Sequence, residues 1–399
     1  MQKLLLKNGL TIIFEKVNSN SITLGVCVKT GSIYDDRKYM GISHFLEHLI
    51  FEGTKNRTAQ EIVKEIEGSG GEFNAFTTHE ITFFYVKILS KFFEKALNVI
   101  SDVLKNSTFE DKVIEKERRV ILEEINLWKD DPKSHQWTLF EKALYKKHPV
   151  QYPIIGFKET LNNIKRKEIL DYFNKQYVPN NMIIVLTGNI NSKIKNKLKK
   201  EFSELKYKQL EKQVIKNETE INAVKVKEKK DVSHSYFVIG FKTTTIDNKD
   251  SYVIDLISTI LGNGFSSRLF IEIRTKRGLS YNVGSMHECY KTYGYFAVYV
   301  NTDKKNVNLC RKLILKQFKL ENLSEEEIEN AKNMIEGWKL LRNEDTKELT
   351  ISLGFWEQHN KAENFYEYIK NIRKITKKDI LRVQKKYFTG KYTEVLISK

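Results

Sequence analysis

Two histidines four residues apart, His44 and His48, enclose Glu47 in the string His44-Phe45-Leu46-Glu47-His48. On a helix, positions i and i+4 share one face, so both imidazoles can reach one cation while Glu47 stands beside it. In the order H-x-x-E-H, two ring nitrogens can hold a metal while the carboxylate between them moves protons. Only 8 of 399 residues are His, which makes the spacing informative. Two ligands do not complete a zinc site, because a catalytic zinc takes three protein ligands and keeps its fourth position for water. Cys27, Cys289 and Cys310 are too widely spaced to serve, so a carboxylate is the expected third donor.

The segment Glu115 to Ile125 supplies candidates. Glu117 and Glu124 are seven apart and share a helix face. Val120 and Ile121 fall on the same face, which turns it toward the core, where a pair of carboxylates needs a cation. One glutamate would bind zinc directly, and the other would orient a histidine or act through water. Spacing alone does not say which.

The elements that must position these residues recur along the chain. Gly25–Gly31 resembles Val238–Thr243, and Glu80–Lys87 resembles Tyr293–Val300. Long amphipathic helices follow over Phe109–Trp128 and Leu323–Arg342, and each half closes on a strand, Met182–Leu186 and Thr393–Ile397. The shared order predicts two similar α+β domains, each a largely antiparallel sheet covered by helices. Residues 1–205 form the first and 220–399 the second, with a polar linker at 206–219. Lining up Gly41-Ile42-Ser43 with Gly264-Phe265-Ser266 sets Ser267 against His44 and Ile271 against His48, so the second half lacks the ligands.

Composition excludes several classes. The net charge of +17 raises nucleic acid, but the lysines are dispersed and rarely interleaved with aromatics, which argues against it. No apolar run approaches the roughly 18 residues of a membrane span. Met1 to Gly9 reads as a short strand and an Asn8-Gly9 turn, not a secretory signal. Three unpaired cysteines suit a reducing, cytoplasmic setting. His135, His148, His234, His287 and His359 have no ligand spacing, and Gly262-Asn263-Gly264 is a turn, not a phosphate loop.

Three stretches, Gly41–Thr54, Gly71–Glu80 and Glu117–Glu124, resemble the pitrilysin and mitochondrial-processing-peptidase family of inverted zinc metallopeptidases, in its bacterial form of about 400 residues. The likeness runs over nearly the whole chain. It implies one Zn²⁺ per chain, held by His44, His48 and Glu124, with Glu117 in support. It implies that Glu47 is the general base for a zinc-bound water attacking a peptide carbonyl. The part matching Asn74-Ala75-Phe76-Thr77 forms an exposed edge strand in the family, to which an extended peptide adds by backbone hydrogen bonds. Arg274 and Tyr281, seven apart, match the family's arginine–tyrosine element, suited to substrate carbonyls or a developing oxyanion; Arg277 fits less well. Because some relatives divide these parts between two subunits and this chain has both, the resemblance favours a homodimer cleaving short unfolded or presequence-like peptides. A related heteropartner is the alternative, including a partner-dependent, non-catalytic role. Glu65, Glu67, Glu72 and Glu80 are candidates for an acidic chamber lining, and His79 for a substrate contact.

Overall fold

The computed structural model describes every residue except Glu211, Lys212 and Asn222. The first two fall inside the expected linker and so lie outside the described residues. The chain gathers into two compact units that are not contiguous in sequence. One comprises 1–125, 153–214 and 341–365; the other comprises 126–152, 215–340 and 366–399. The expected ranges 1–205 and 220–399 therefore leave out an exchange: 126–152 packs with the second unit and 341–365 with the first.

Six strands build the first sheet: β1 (Gln2–Leu5), β2 (Thr11–Lys16), β3 (Ser21–Val28), β4 (Glu72–Thr77), β5 (Thr82–Leu89) and β6 (Met182–Gly188), in the order β1-β2-β6-β3-β5-β4. The pairs are antiparallel except β2 with β6. Alternate residues of a strand face opposite ways. One face carries Leu24, Val26, Phe84, Val86, Ile184 and Leu186 into the main core, together with Phe45 and Leu46 of the helix Ile42–Leu49.

The opposite face receives the exchanged helix Thr346–His359. Small groups allow the close approach: a Cβ on Gly25 would lie 2.6 Å from Thr350, and one on Gly354 would lie 2.7 Å from Phe83. Hydroxyls then join the helix to the sheet. Thr187 donates to the Thr346 carbonyl (2.7 Å), and the Thr23 and Thr346 hydroxyls bond to each other at 2.8 Å.

The second sheet contains β7 (Val224–Lys229), β8 (Ser235–Lys242), β9 (Asn282–Cys289), β10 (Gly294–Thr302) and β11 (Thr393–Ser398), in the order β7-β11-β8-β10-β9, antiparallel except β7 with β11. Phe237, Ile239, Phe296 and Val298 face its main core. Val238, Ala297 and Val395 point the other way, against Phe140, Ala143 and Leu144 of the exchanged helix Pro132–Leu144.

The expected match of the two helix openings does not hold. The helix Ile42–Leu49 packs on β4 and on the helix Arg166–Gln176; in the second unit the helix Asp250–Gly262 packs likewise on β9 and on the helix Lys377–Tyr387. The latter helix, not the segment after Gly264, is the counterpart of the metal helix. It carries Asp255, which bonds His287 Nδ1 (2.6 Å) and accepts from the Tyr368 hydroxyl (2.8 Å). Ser267 instead precedes a short wide helical turn, Phe270–Thr275, and Ile271 lies within it.

Within the expected polar linker, Glu218 is buried. It accepts from the backbone amides of Lys146, Lys147 and His148 and pairs with Lys242 at 2.7 Å. Burial pushes its carboxyl upward, but Lys242 and the three amides outweigh that and hold it at about 2. A depressed carboxylate contributes stability that is present above its unfolded value of 4.5 and is lost as pH falls toward about 2. Denaturant unfolding of Glu218→Gln should therefore show lower stability than wild type at pH 7, with the gap closing between pH 4.5 and 2.

Candidate metal centre

Why His44 and His48 point the same way is a matter of helix phase. Ile42, Phe45, Leu46 and Leu49 are buried and set the roll of the helix Ile42–Leu49, leaving the two imidazoles on the complementary face. Gly41, at φ 93°, starts it; a Cβ there would lie 2.6 Å from the Ile155 carbonyl oxygen. Across from it runs the helix Asp111–Asp130, seated by Ile114, Ile121 and Ile125. Val120 is not on the buried side, as expected from sequence, but 46% exposed. The buried stripe runs 114-117-121-125, and Val120 lies at its solvent margin.

His44, His48 and Glu124 converge, each offering an atom within 4.8 Å of the others. Glu124 Oε2 lies 3.9 Å from His44 Nε2 and 3.6 Å from His48 Nε2. Tetrahedral zinc with bonds of 2.0–2.1 Å separates its ligand atoms by about 3.3 Å, so small side-chain adjustments close the set. Two nitrogens and one oxygen facing a common point fit zinc with a position to spare. Glu47 Oε2 stands 3.8 Å from His44 Nε2, beside the cluster.

Glu117 meets His48 from behind, with Oε2 3.2 Å from Nδ1. That contact makes Nδ1 a donor to Glu117, so it is Nε2, on the Glu124 side, that gives up its proton and offers a lone pair when a metal binds. Lys116 Nζ lies 2.9 Å from the other Glu117 oxygen, so this buried carboxylate needs no second metal. Burial, together with His48, pushes His44 down to about 4, which keeps its imidazole neutral at pH 7. Burial pushes His48 the same way, but Glu124, Glu47 and Glu117 turn its net shift upward. The His48 hydrogen bond lowers Glu124, and burial raises Glu47.

Asn74, Ala75, Phe76 and Thr77 make up most of β4, an edge strand paired only with β5. Asn74 Oδ1 accepts from the Ala75 amide at 2.8 Å, and Phe76 stacks on Phe83 at 5.5 Å. Thr77 donates to Glu47 Oε2 at 3.4 Å, a link between strand and carboxylate that sequence reasoning missed. His79 is buried and bonds Ser32. The expected acidic lining largely disappears: Glu80 is fully buried against His359 (3.0 Å), Glu65 pairs with Arg57, and Glu72 faces Lys347.

In the second unit, Arg274 and Tyr281 come together. The guanidinium sits 5.4 Å from the Tyr281 ring and 4.8 Å from that of Phe270, and Nη1 is 3.4 Å from the Tyr281 carbonyl oxygen. Tyr281 is 90% exposed, so packing does not explain it. Among the described residues Arg274 has no carboxylate partner, whereas Arg277 and Lys276 both pair with Glu272.

Residues 11–158 match the family profile described as insulinase (peptidase family M16), and residues 163–335 match that of the peptidase M16 inactive domain. A zinc protease of Rickettsia felis, named as uncharacterized, is 33% identical over 405 positions, covering 98% of this chain and 96% of its own. The chain belongs to peptidase family M16. A relative from Bacillus subtilis, also named as an uncharacterized zinc protease, is 30% identical over 98% of this chain and 97% of its own. The crystal structure of a protease from Helicobacter pylori superposes with a TM-score of 0.94 at 25% identity, covering 100% of this chain and 99% of that one. Among the described residues no helix is long and apolar enough to cross a membrane.

Support of a ligand from behind typically accounts for 10- to 100-fold in metal affinity. Glu117→Gln should weaken Zn²⁺ binding by roughly that factor in a chelator competition while leaving the stability of the metal-free protein within about 1 kcal/mol of wild type.

Proposed function

We propose that the protein is a zinc-dependent endopeptidase acting on short unfolded peptides, with one Zn²⁺ per chain held by His44, His48 and Glu124. The observation that carries this reading is the convergence of those three side chains with Glu47 standing 3.8 Å from His44 Nε2 rather than behind it. When bound, zinc acidifies water and polarises the scissile carbonyl. Glu47 takes the proton of the attacking water and passes it to the leaving amine. Its partial burial raises its proton affinity toward that role, and the Thr77 hydroxyl holds one of its oxygens. β4 accepts the peptide along its open edge by backbone hydrogen bonds, so recognition there depends little on side chains. Arg274, without an acidic partner among the described residues, and the exposed Tyr281 are donors for a substrate carbonyl oxygen as it gains charge.

Free cysteines suit a reducing compartment, and we place the enzyme in the cytoplasm. Because metal-side and carbonyl-side groups occur in one chain, the reading takes a homodimer as the working assembly. A subunit that depends on a related heteropartner is the competing reading.

Wild type and Glu47→Gln, assayed for metal and for cleavage of a pool of peptides of about 10–30 residues, distinguish these. Both should bind one zinc, with turnover lost in the variant by at least about 10²-fold. His44→Ala and His48→Ala should lose metal and turnover together. A wild type that holds zinc but cleaves nothing would favour the heteropartner. Arg274→Lys should lower kcat/KM by about 10-fold or more, since a lysine cannot reproduce the planar donor pair. Arg277→Lys, which keeps a cation for Glu272, should change it by less than about twofold.

A further inference from the structure

The two imidazoles of the candidate metal centre are not supported alike. His48 has Glu117 on its Nδ1. His44 Nδ1 is buried and has no hydrogen-bond partner among the described residues. Among the described residues no hydrogen bond orients the His44 ring from behind, so its aim depends more heavily on the backbone that carries it, the first turn of the helix Ile42–Leu49.

That turn is held from an unexpected place. Gly41, the residue before the helix, has no side chain to cap it. Asp35, six positions upstream, supplies the carboxylate instead. One oxygen accepts from the Gly41 amide at 2.9 Å and from the Ser43 amide at 3.5 Å; the other accepts from the Ser43 hydroxyl at 2.5 Å. The network extends beyond the helix. Tyr172, on Arg166–Gln176, bonds the Ser43 hydroxyl at 2.6 Å and Asp35 at 3.4 Å, and the Thr30 hydroxyl at the end of β3 bonds Tyr172 at 2.9 Å. Thus the sheet, a neighbouring helix and the first turn of the metal helix meet on one desolvated carboxyl group. Burial pushes that group up to about 7, in spite of the donors around it. Keeping such a carboxyl inside is costly, and a helix start that only needed capping would be served by an exposed Ser or Asp adjacent to it.

We propose that Asp35 is the positioning residue for His44, the counterpart of Glu117 for His48: through Gly41 and Ser43 it fixes the turn from which His44 Nε2 is aimed at the metal. The inference rests on the zinc reading above and adds to it a residue outside the ligand set.

The test uses the full chain, loaded with Co²⁺ for its visible spectrum and with Zn²⁺ for affinity by chelator competition, beside thermal unfolding of the metal-free protein. Asp35→Ala should lower Zn²⁺ affinity roughly 10- to 100-fold, as loss of ligand support does elsewhere. It should also shift the cobalt spectrum and reduce kcat with KM little changed. Asp35→Asn keeps an acceptor for the two amides and should restore most of both metal readouts. An Asp35→Ala protein with wild-type affinity and spectrum but a lower Tm would show a capping role only and overturn the proposal. Should Asp35→Ala not fold, Ser43→Ala takes its place: weaker zinc binding and a shifted spectrum support the proposal, and wild-type values overturn it. A wild type that binds zinc and cleaves nothing would count against the endopeptidase reading alone, since the two metal readouts still decide the role of Asp35. A wild type that takes up neither metal overturns both.

Discussion

A cation shared by two imidazoles on one short helix requires that the helix neither roll nor slide. A roll of one residue, about 100°, would carry His44 and His48 out of reach of Glu124. Against this stand the four apolar side chains that key the helix Ile42–Leu49 into the core and the glycine start at Gly41, where no larger residue fits. On the far side, the buried isoleucines of Asp111–Asp130 fix the phase of Glu117 and Glu124. The candidate centre is therefore the meeting of two helices whose rotation is set by hydrophobic packing. Its electrostatics follow from the same burial, which favours the neutral, lone-pair-bearing form of His44 and raises the proton affinity of Glu47.

β4 brings a second function to the same place. It leaves one side of its backbone unpaired by any described strand, and its last residue, Thr77, touches Glu47. In the proposed reaction, a peptide aligned on that edge lies on the strand that also steadies the general base. Binding and proton transfer are then coupled through the six residues of β4 rather than through a moving lid.

Much of this was legible in the sequence, for reasons that are local. His44, Glu47 and His48 sit on one turn, and Glu117 and Glu124 on two turns of one helix, so helical periodicity predicts that each set shares a face; that Glu124 is the glutamate facing the histidines was implied only by the family resemblance. Two largely antiparallel sheets covered by helices were legible from strand runs in a repeated order; the one parallel pair in each, β2 with β6 and β7 with β11, was not. What escaped notice depends on contacts between distant residues. Asp35 caps a helix from six positions away, and Thr77 reaches a glutamate 30 residues earlier. Glu218 looks like any residue of a polar stretch until Lys242 and the amides of 146–148 are folded around it. Glu80 reads as surface charge, yet is sealed beside His359. The pairing of Gly264 with Gly41 rested on three residues of similar type; packing shows that the equivalent helix begins fourteen residues before Gly264, at Asp250.

The exchanged helices have a consequence for how the chain is made. Two faces of each sheet must be covered, and for each sheet one cover comes from the other half of the sequence: Thr346–His359 for the first, Pro132–Leu144 for the second. A ribosome delivers residues from the N-terminus at about 5–20 per second. The first sheet has all its strands by residue 188, but its second face stays open until His359 has emerged. Between those two points Gly25, Cys27 and Phe83 line a bare sheet surface, a period of roughly ten to thirty seconds at those rates. The first unit cannot close as an independent N-terminal domain; it completes only when nearly the whole polypeptide is present, and its hazard during biogenesis is premature pairing of that open face.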